Sequence, residues 1–458
     1  MSDLDEVLAH IDADLDAALK RLFQTIRLKS ISADHAYDTE TRACAEWHAA
    51  DLKSIGFDAS VRETKGHPIV LGHHRKGTGT SVLFYGHYDV QPVDPLALWT
   101  SDPFDPTIVT LKDGTRELHG RGSADDKGQL MTFVEACRAW KAVTGTLPVP
   151  ITVLLEGEEE SGGANLPQFL DDAATELKAD VAMICDTNMW DAATPAITTS
   201  LRGLCAEEIT IHAADRDLHS GFYGSAAANP NHVLARILAD LHDENGRVTL
   251  PGFYDGVPDL TQGMRDSWAK LDFSEKAFLG EVGLSVPAGE TGRSVLEQTW
   301  SRPTCEVNGM VGGYTGEGFK TVIPAQASAK ISFRLVSGQD PHKVRKAFRA
   351  FVKVRVPADC RVKFTEFGSG RAVAFEVSAP AFQATQAALT DEWGKHAAFI
   401  GGGGSIPVTT LIKEKLGMDV VMAGFGLSDD RIHSPNEKYS LTSFHKGIRS
   451  WARVLAAL

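Results

Sequence analysis

The stretch "ITVLLEGEEESGG" (Ile151–Gly163) joins an apolar run to four carboxylates, Glu156, Glu158, Glu159 and Glu160, set within five residues. The run lacks the alternation of a strand with one wet face, so it reads as a strand covered by helices on both sides. "SVLFYG" (Ser81–Gly86) and "VAMICD" (Val181–Asp186) have the same character. Between and before them lie helical patterns: "DLDEVLAHIDADLDAALKRLFQTI", "TRACAEWHAADLKSIG" and "KGQLMTFVEACRAWKAV". The last puts Leu130, Phe133, Val134, Cys137 and Trp140 on one face. Strands and helices in this order predict an α/β layered domain with a central, mostly parallel sheet.

The pattern then changes. "CAEEITIHAAD" reads as a strand and "NPNHVLARILADLHDE" as a helix. Further strands follow in "CEVNGMVGGY", "AQASAKISFRLV" and "CRVKFTEF", with the helix "DPHKVRKAFRAFVKV" between the last two. This is a βαββαβ order, the ferredoxin-like arrangement, carrying a Gly/Pro-dotted insertion at about 251–300. After residue 372 the first pattern returns with "PAFQATQAALTDEWGKH", the strand "DVVMAGFG" and a final helix. The expected organisation is a discontinuous α/β domain, 1–197 and 372–458, interrupted by a smaller α+β domain at 198–371.

The chain's 458 residues carry 46 Lys+Arg against 60 Asp+Glu, a net charge of −14, which disfavours nucleic acid and anionic membrane surfaces as partners. No apolar run approaches the length of a bilayer span. The first residues have neither the basic nor the apolar region of a signal peptide. The six cysteines are scattered without a Cys-x-x-Cys pair, so a reduced, cytoplasmic chain is expected.

Polar residues follow the apolar runs. His87 and Asp89 come after "SVLFYG", Glu158–Glu160 after "ITVLL", Asp186 closes "VAMICD", and His433 follows "VVMAGFG" by a short loop. In open α/β sheets function collects at the carboxyl ends of the strands. In extended chain Asp89 points the same way as His87 and can orient its imidazole, although alone the pair reads equally as a loop His beside a turn Asp. Read alone, Asp125 and Asp126 in "GRGSADDKG" are helix N-caps, His219 in "DLHSGFYGS" is a surface-loop His, and Arg334 is a snorkelling strand residue or a fork for a carboxylate. "GGGGSIP", with Ser405, opens a helix that either holds an anion or simply starts there. His73 and His74 fall beside a solvated turn. No G-x-S-x-G marks a serine nucleophile.

Four carboxylates at one point repel by about 1 kcal/mol per neighbouring pair in water and about 4 kcal/mol near a protein surface, so cations or protons must hold them together. The segments "YGHYDVQP", "GRGSADDKG", "EGEEESG", "ICDTNMW", "DLHSGFYG", "KTVIP", "ISFRLV", "GGSIPVT" and "HSPNEK" occur along nearly the whole chain. Together they resemble the carboxypeptidase-G/aminoacylase/carnosinase metallopeptidases, most nearly the cytosolic non-specific dipeptidase and carnosine dipeptidase branch. The resemblance implies a zinc-peptidase-like catalytic domain, interrupted by a lid and dimerisation domain, in a homodimer acting on small peptides. It implies two divalent ions, Zn²⁺ or alternatively Mn²⁺ or Co²⁺. His87, Asp125 and Asp186 would hold one; Asp125 would bridge to the other, held also by Glu160 and His433. Asp89 would orient His87, and Glu159 would be the general base. His219 would reach the substrate carbonyl from the other subunit. Thr321, Arg334 and Ser405 would contact substrate, Arg334 at its carboxylate. Asp rather than Glu at position 186 favours a dipeptidase over a carboxypeptidase or N-acyl-amino-acid deacylase of the same family. Tyr88, Gly163, Phe222 and Ser225 depart from the common pattern, the last two beside His219, where they bear on substrate range.

Overall fold

The computed structural model describes residues 2–404 and 406–458. The chain divides into two compact units. The first comprises Met1–Thr199, Phe375–Ile400 and Leu411–Leu458; the second comprises Ser200–Ala374 and Gly401–Thr410.

The first unit is built on a mixed sheet. Its strands lie in the order Asp58–Arg62, Ile69–His74, Ile151–Glu156, Val82–His87, Val181–Ile184, Val420–Met422, Ala196–Leu201. The four from Ile151–Glu156 to Val420–Met422 run parallel, in register Val82↔Ile151, Val82↔Val181 and Val420↔Ala182. Every residue of Val82–His87 and Val181–Ile184 is buried, as expected of strands covered on both faces. Ile69–His74 is equally buried, so His73 and His74 close a strand and the exposed segment 75–79 follows them directly. The His73 ring bonds Thr152 at 3.1 Å and Glu176 at 2.9 Å.

Helix Lys127–Thr144 packs against Asp3–Ile26 and Leu441–Ala457 and against the strand Val82–His87. Phe84 and Phe133 stack at 3.8 Å between ring centroids, and Trp451 meets both rings edge-on. The helix ends at Gly145, which takes the left-handed φ of 76° that favours glycine.

The second unit contains an antiparallel sheet in the order Thr304–Gly312, Gln326–Leu335, Gly203–His212, Arg361–Gly370. Numbered along the chain this is 2-3-1-4, the ferredoxin-like topology. Burial alternates strictly along Gly203–His212, so one face lines a core and the other does not. Val233, Leu234 and Ile237 of helix Pro230–Ala239 and Val344, Phe348 and Phe351 of helix Pro341–Lys353 fill that core with Ile209, Ile211, Ile331 and Phe333. The 251–300 insertion folds into short helices, Gln262–Ala269 and Glu275–Gly280 among them. Among the described residues no helix is long and apolar enough to cross a membrane.

Candidate active site

Parallel strands put their carboxyl ends on one edge of the sheet, and there the polar residues gather. His87 is the last residue of its strand, Glu156 the last of the next, and Asp186 follows Ile184 by two. His433 arrives on the loop after Val420–Met422, with a left-handed φ of 58°. Helix Lys127–Thr144 brings Asp125 and Asp126 from its approach loop.

Ligand atoms of His87, Asp125 and Asp186 lie within 4.8 Å of one another, as do those of Asp125, Glu160 and His433. Asp125 belongs to both groups. Its Oδ1 is 3.0 Å from His87 Nε2 and its Oδ2 is 2.9 Å from His433 Nε2. Glu160 Oε2 lies 3.2 Å from His433 Nε2 and accepts from Gln91 Nε2 at 2.8 Å.

Asp89 is fully buried behind this cluster. Its Oδ1 lies 3.4 Å from His87 Nδ1, and it accepts from Ser32 Oγ at 2.6 Å and from the backbone N–H groups of Glu159 and Glu160 at 3.3 and 3.0 Å. The Asp89 carbonyl oxygen also lies 3.1 Å from His87 Nδ1, so one residue holds both an imidazole and the turn that presents the two glutamates. Glu158, by contrast, is spent on structure: it accepts from His67 N and from Asn165.

The electrostatics record a deficit of positive charge. Burial opposes a charged His87 ring, yet the bonds to Asp125 and Asp89 hold its pKa well above the ordinary imidazole value. Bonds to Asp125 and Glu160 raise His433 to about 10. Burial, then Asp125's repulsion, pushes Asp186 well up. Burial likewise raises Glu159, with its ring neighbour His87 opposing and Glu160 adding repulsion. Asp125 is itself desolvated, but its two imidazole bonds hold it below the usual carboxylate range. A cluster that raises the pKa of two imidazoles and two acids fits cations, and its all-oxygen and nitrogen donor set fits divalent metals of the Zn²⁺, Mn²⁺ and Co²⁺ kind.

One residue, Glu437, went unread in the sequence, and two others, Asp126 and Glu156, take roles the sequence did not give them. Glu437 is buried and accepts four bonds, from Arg121 Nη1 and from the backbone N–H groups of Gly122, Ala124 and Asp125, at 2.7 to 3.1 Å. It is the template for the loop that carries Asp125; its only signal was a place four residues beyond His433. Asp126 occupies the N-cap position but makes no cap bond. Instead its Oδ2 accepts from His87 N at 3.0 Å, which corrects the capping reading. Glu156 accepts from Tyr85 Oη at 2.6 Å, and burial lifts it to about 8.

The other sequence-derived residues lie on the second unit. His219 is exposed; its Nδ1 accepts from Gly221 N at 3.0 Å and its ring tilts over Phe222 at 4.7 Å. Thr321 is beside it in the chain pairing, its carbonyl accepting from Ser220 N at 3.0 Å. Arg334 stands on strand Gln326–Leu335, half-buried. Ser405 lies outside the described residues.

Residues 83–457 match the sequence profile of Peptidase family M20/M25/M40. The chain belongs to this family. It is thus a peptide-bond hydrolase of a metallopeptidase family, and the resemblance drawn from its motifs holds. It is 30% identical to the Cys-Gly metallodipeptidase dug1 of Schizosaccharomyces pombe over 97% of this chain and 96% of that protein. It is 29% identical to the human Beta-Ala-His dipeptidase, over 84% and 76%. Among solved structures, the dipeptidase Dug1p of Saccharomyces cerevisiae superposes with a TM-score of 0.78 at 26% identity, covering 100% of this chain and 99% of that one. The metallo-carboxypeptidase Sso-CP2 of Sulfolobus solfataricus reaches 0.81 at 31% identity, covering 96% and 98%.

Proposed function

We propose that the chain is a dinuclear metal-dependent dipeptidase. The observation that carries the reading is Asp125, whose two oxygens face different imidazoles at the junction of two donor triplets. His87, Asp125 and Asp186 would hold one divalent ion, and Asp125, Glu160 and His433 the other, Zn²⁺ suiting the donors best. When bound, two such ions polarise the scissile carbonyl and acidify the attacking water. Glu159 precedes Glu160 in the chain, feels the charges of His87, Glu160 and Asp125, and belongs to neither triplet; it would take the water's proton and return it to the leaving amine. Asp89 fixes the His87 ring, and the same carboxylate holds the backbone of Glu159.

The dipeptide specificity rests on the dipeptidase relatives and on Asp186. The similarity to Sso-CP2 favours a second reading, a carboxypeptidase acting on longer peptides. The homodimer belongs to the same proposal: the edge strand Thr304–Gly312 exposes Val307, Met310 and Val311, a surface suited to a second copy. His219 would then serve the substrate carbonyl of the other subunit, and Thr321, Arg334 and Ser405 the rest of the substrate. A reducing, cytoplasmic setting is supported by six free, buried cysteines.

The test is metal analysis by mass spectrometry with rates on dipeptides, longer peptides and N-acetyl amino acids. Two ions per chain and preferred cleavage of dipeptides support the reading. Loaded protein that prefers N-acetyl amino acids makes it a deacylase, and one that trims longer peptides makes it a carboxypeptidase.

A further inference from the structure

On the second unit's sheet, Arg334 stands directly opposite Leu204. Arg202 precedes Leu204 by two residues, which in extended chain places it on the same side as Arg334. Both side chains are half-buried. Among the described residues, no hydrogen bond or ion pair engages the Arg334 guanidinium. The Arg202 guanidinium meets, among the described residues, only backbone carbonyls: Nε donates to Gly403 O at 3.0 Å and Nη1 reaches Gln298 O at 3.5 Å. Its backbone N–H donates to Gly402 O at 3.3 Å and Gly404 O at 3.1 Å. Arg202 therefore straps the glycine run to the sheet while bringing a second positive charge near Arg334.

Two guanidiniums brought together at a half-buried place, neither with a carboxylate partner, are an arrangement that an anion completes. Burial and then the Arg334 charge pull Arg202 down to about 10, with Glu306 offsetting this only in part. We propose that Arg202 is a positioning and specificity-determining residue: it fixes Gly402–Gly404 and reinforces Arg334, so that the enzyme selects substrates with a free carboxylate on the C-terminal residue. This rests on the peptidase reading above and deepens it by naming a group the sequence did not single out.

The test measures kcat and KM of metal-loaded Arg202→Met on a dipeptide, together with the inhibition constant of the same dipeptide amidated at its C-terminus. Loss of a guanidinium that acts on the carboxylate raises KM about 10-fold, leaves kcat within about threefold, and leaves the amide's inhibition constant unchanged. An unchanged KM, or an equal weakening of dipeptide and amide, overturns the proposal, the latter by showing a merely structural role. Should Arg202→Met not fold, Arg202→Lys carries the test. With charge kept and the fork lost, it raises KM about threefold on the free acid alone; equal change on both ligands, or none, overturns the inference. A wild type inert to dipeptides overturns the proposed activity itself. An active wild type with an indifferent Arg202→Met overturns only this inference.

Discussion

At the scale of single residues, the site separates side chains that hold charge from those that move a proton. Glu159 is the one acid of "GEEES" left over when Glu160 joins a donor triplet and Glu158 bonds Asn165 and His67. Glu159→Gln keeps the shape and removes the base, so metal content should stay at the wild-type level while kcat falls by about 10²–10⁴. Turnover near wild type with both ions retained would sink the assignment. Glu437 makes a different demand. Its four accepted bonds shape the loop from Gly122 to Asp125. Glu437→Gln exchanges one acceptor oxygen for an amide donor facing N–H groups or Arg121, a mismatch inside a buried nest. Metal affinity should drop by about 10–100-fold, as for other partners that orient ligands, and competition with a fluorescent chelator measures it. Unaltered affinity in a folded variant would show that Asp125 is held without it.

At the scale of elements, the close approach of loop to helix decides where Asp125 goes. A Cβ at Gly128 would lie 1.8 Å from Ser123 O, so only glycine lets the helix start turn back against the loop before Asp125. Gly128→Ala should displace that loop and cost metal affinity by about 10-fold or more, while helix content by circular dichroism is kept. Retention of wild-type affinity would mean that the loop yields without moving its carboxylate. The elements themselves were legible because their signals are local. Unbroken apolar runs gave Val82–His87, Ile151–Glu156 and Val181–Ile184, and periodicity gave Lys127–Thr144. The polar residues at the strand ends pointed to one edge of the sheet, and the family resemblance grouped them. What stayed hidden depends on contacts across long separations. Glu437 looks like any surface glutamate until the Gly122–Asp125 loop folds over it, 312 residues earlier for Asp125. Asp126 looks like a cap because composition cannot show that its oxygen is taken by His87 N.

At the scale of the whole molecule, two consequences follow from charge held apart and charge held together. If His219 serves the partner's site, His219→Ala should leave metal content intact and lose most activity. Mixing it with inactive Glu159→Gln should then restore activity in heterodimers, because one of the two sites has both residues; proven heterodimers without any recovery would place His219 at its own subunit's site. The second consequence concerns acidity. Glu156 has its folded pKa raised to about 8, and Asp126, Asp186 and Glu159 are raised as well, chiefly by burial. A carboxylate raised on folding contributes stability that is complete below its unfolded value, near 4.3 for Glu, and is lost as pH climbs through the folded value. Chelated protein should therefore lose thermal stability steadily between about pH 5 and pH 8, as these buried acids ionise at a desolvated place where two imidazoles offset their charge only in part. Protein carrying its ions should resist that loss, since a ligand that binds only the folded state adds RT ln(1 + [L]/Kd) to its stability, about 4 kcal/mol at a thousandfold excess over Kd. Paired melting curves across that pH range read the difference directly. A chelated form whose melting temperature stays flat or rises toward pH 8 would mean that the acid cluster is not the charge trap described above.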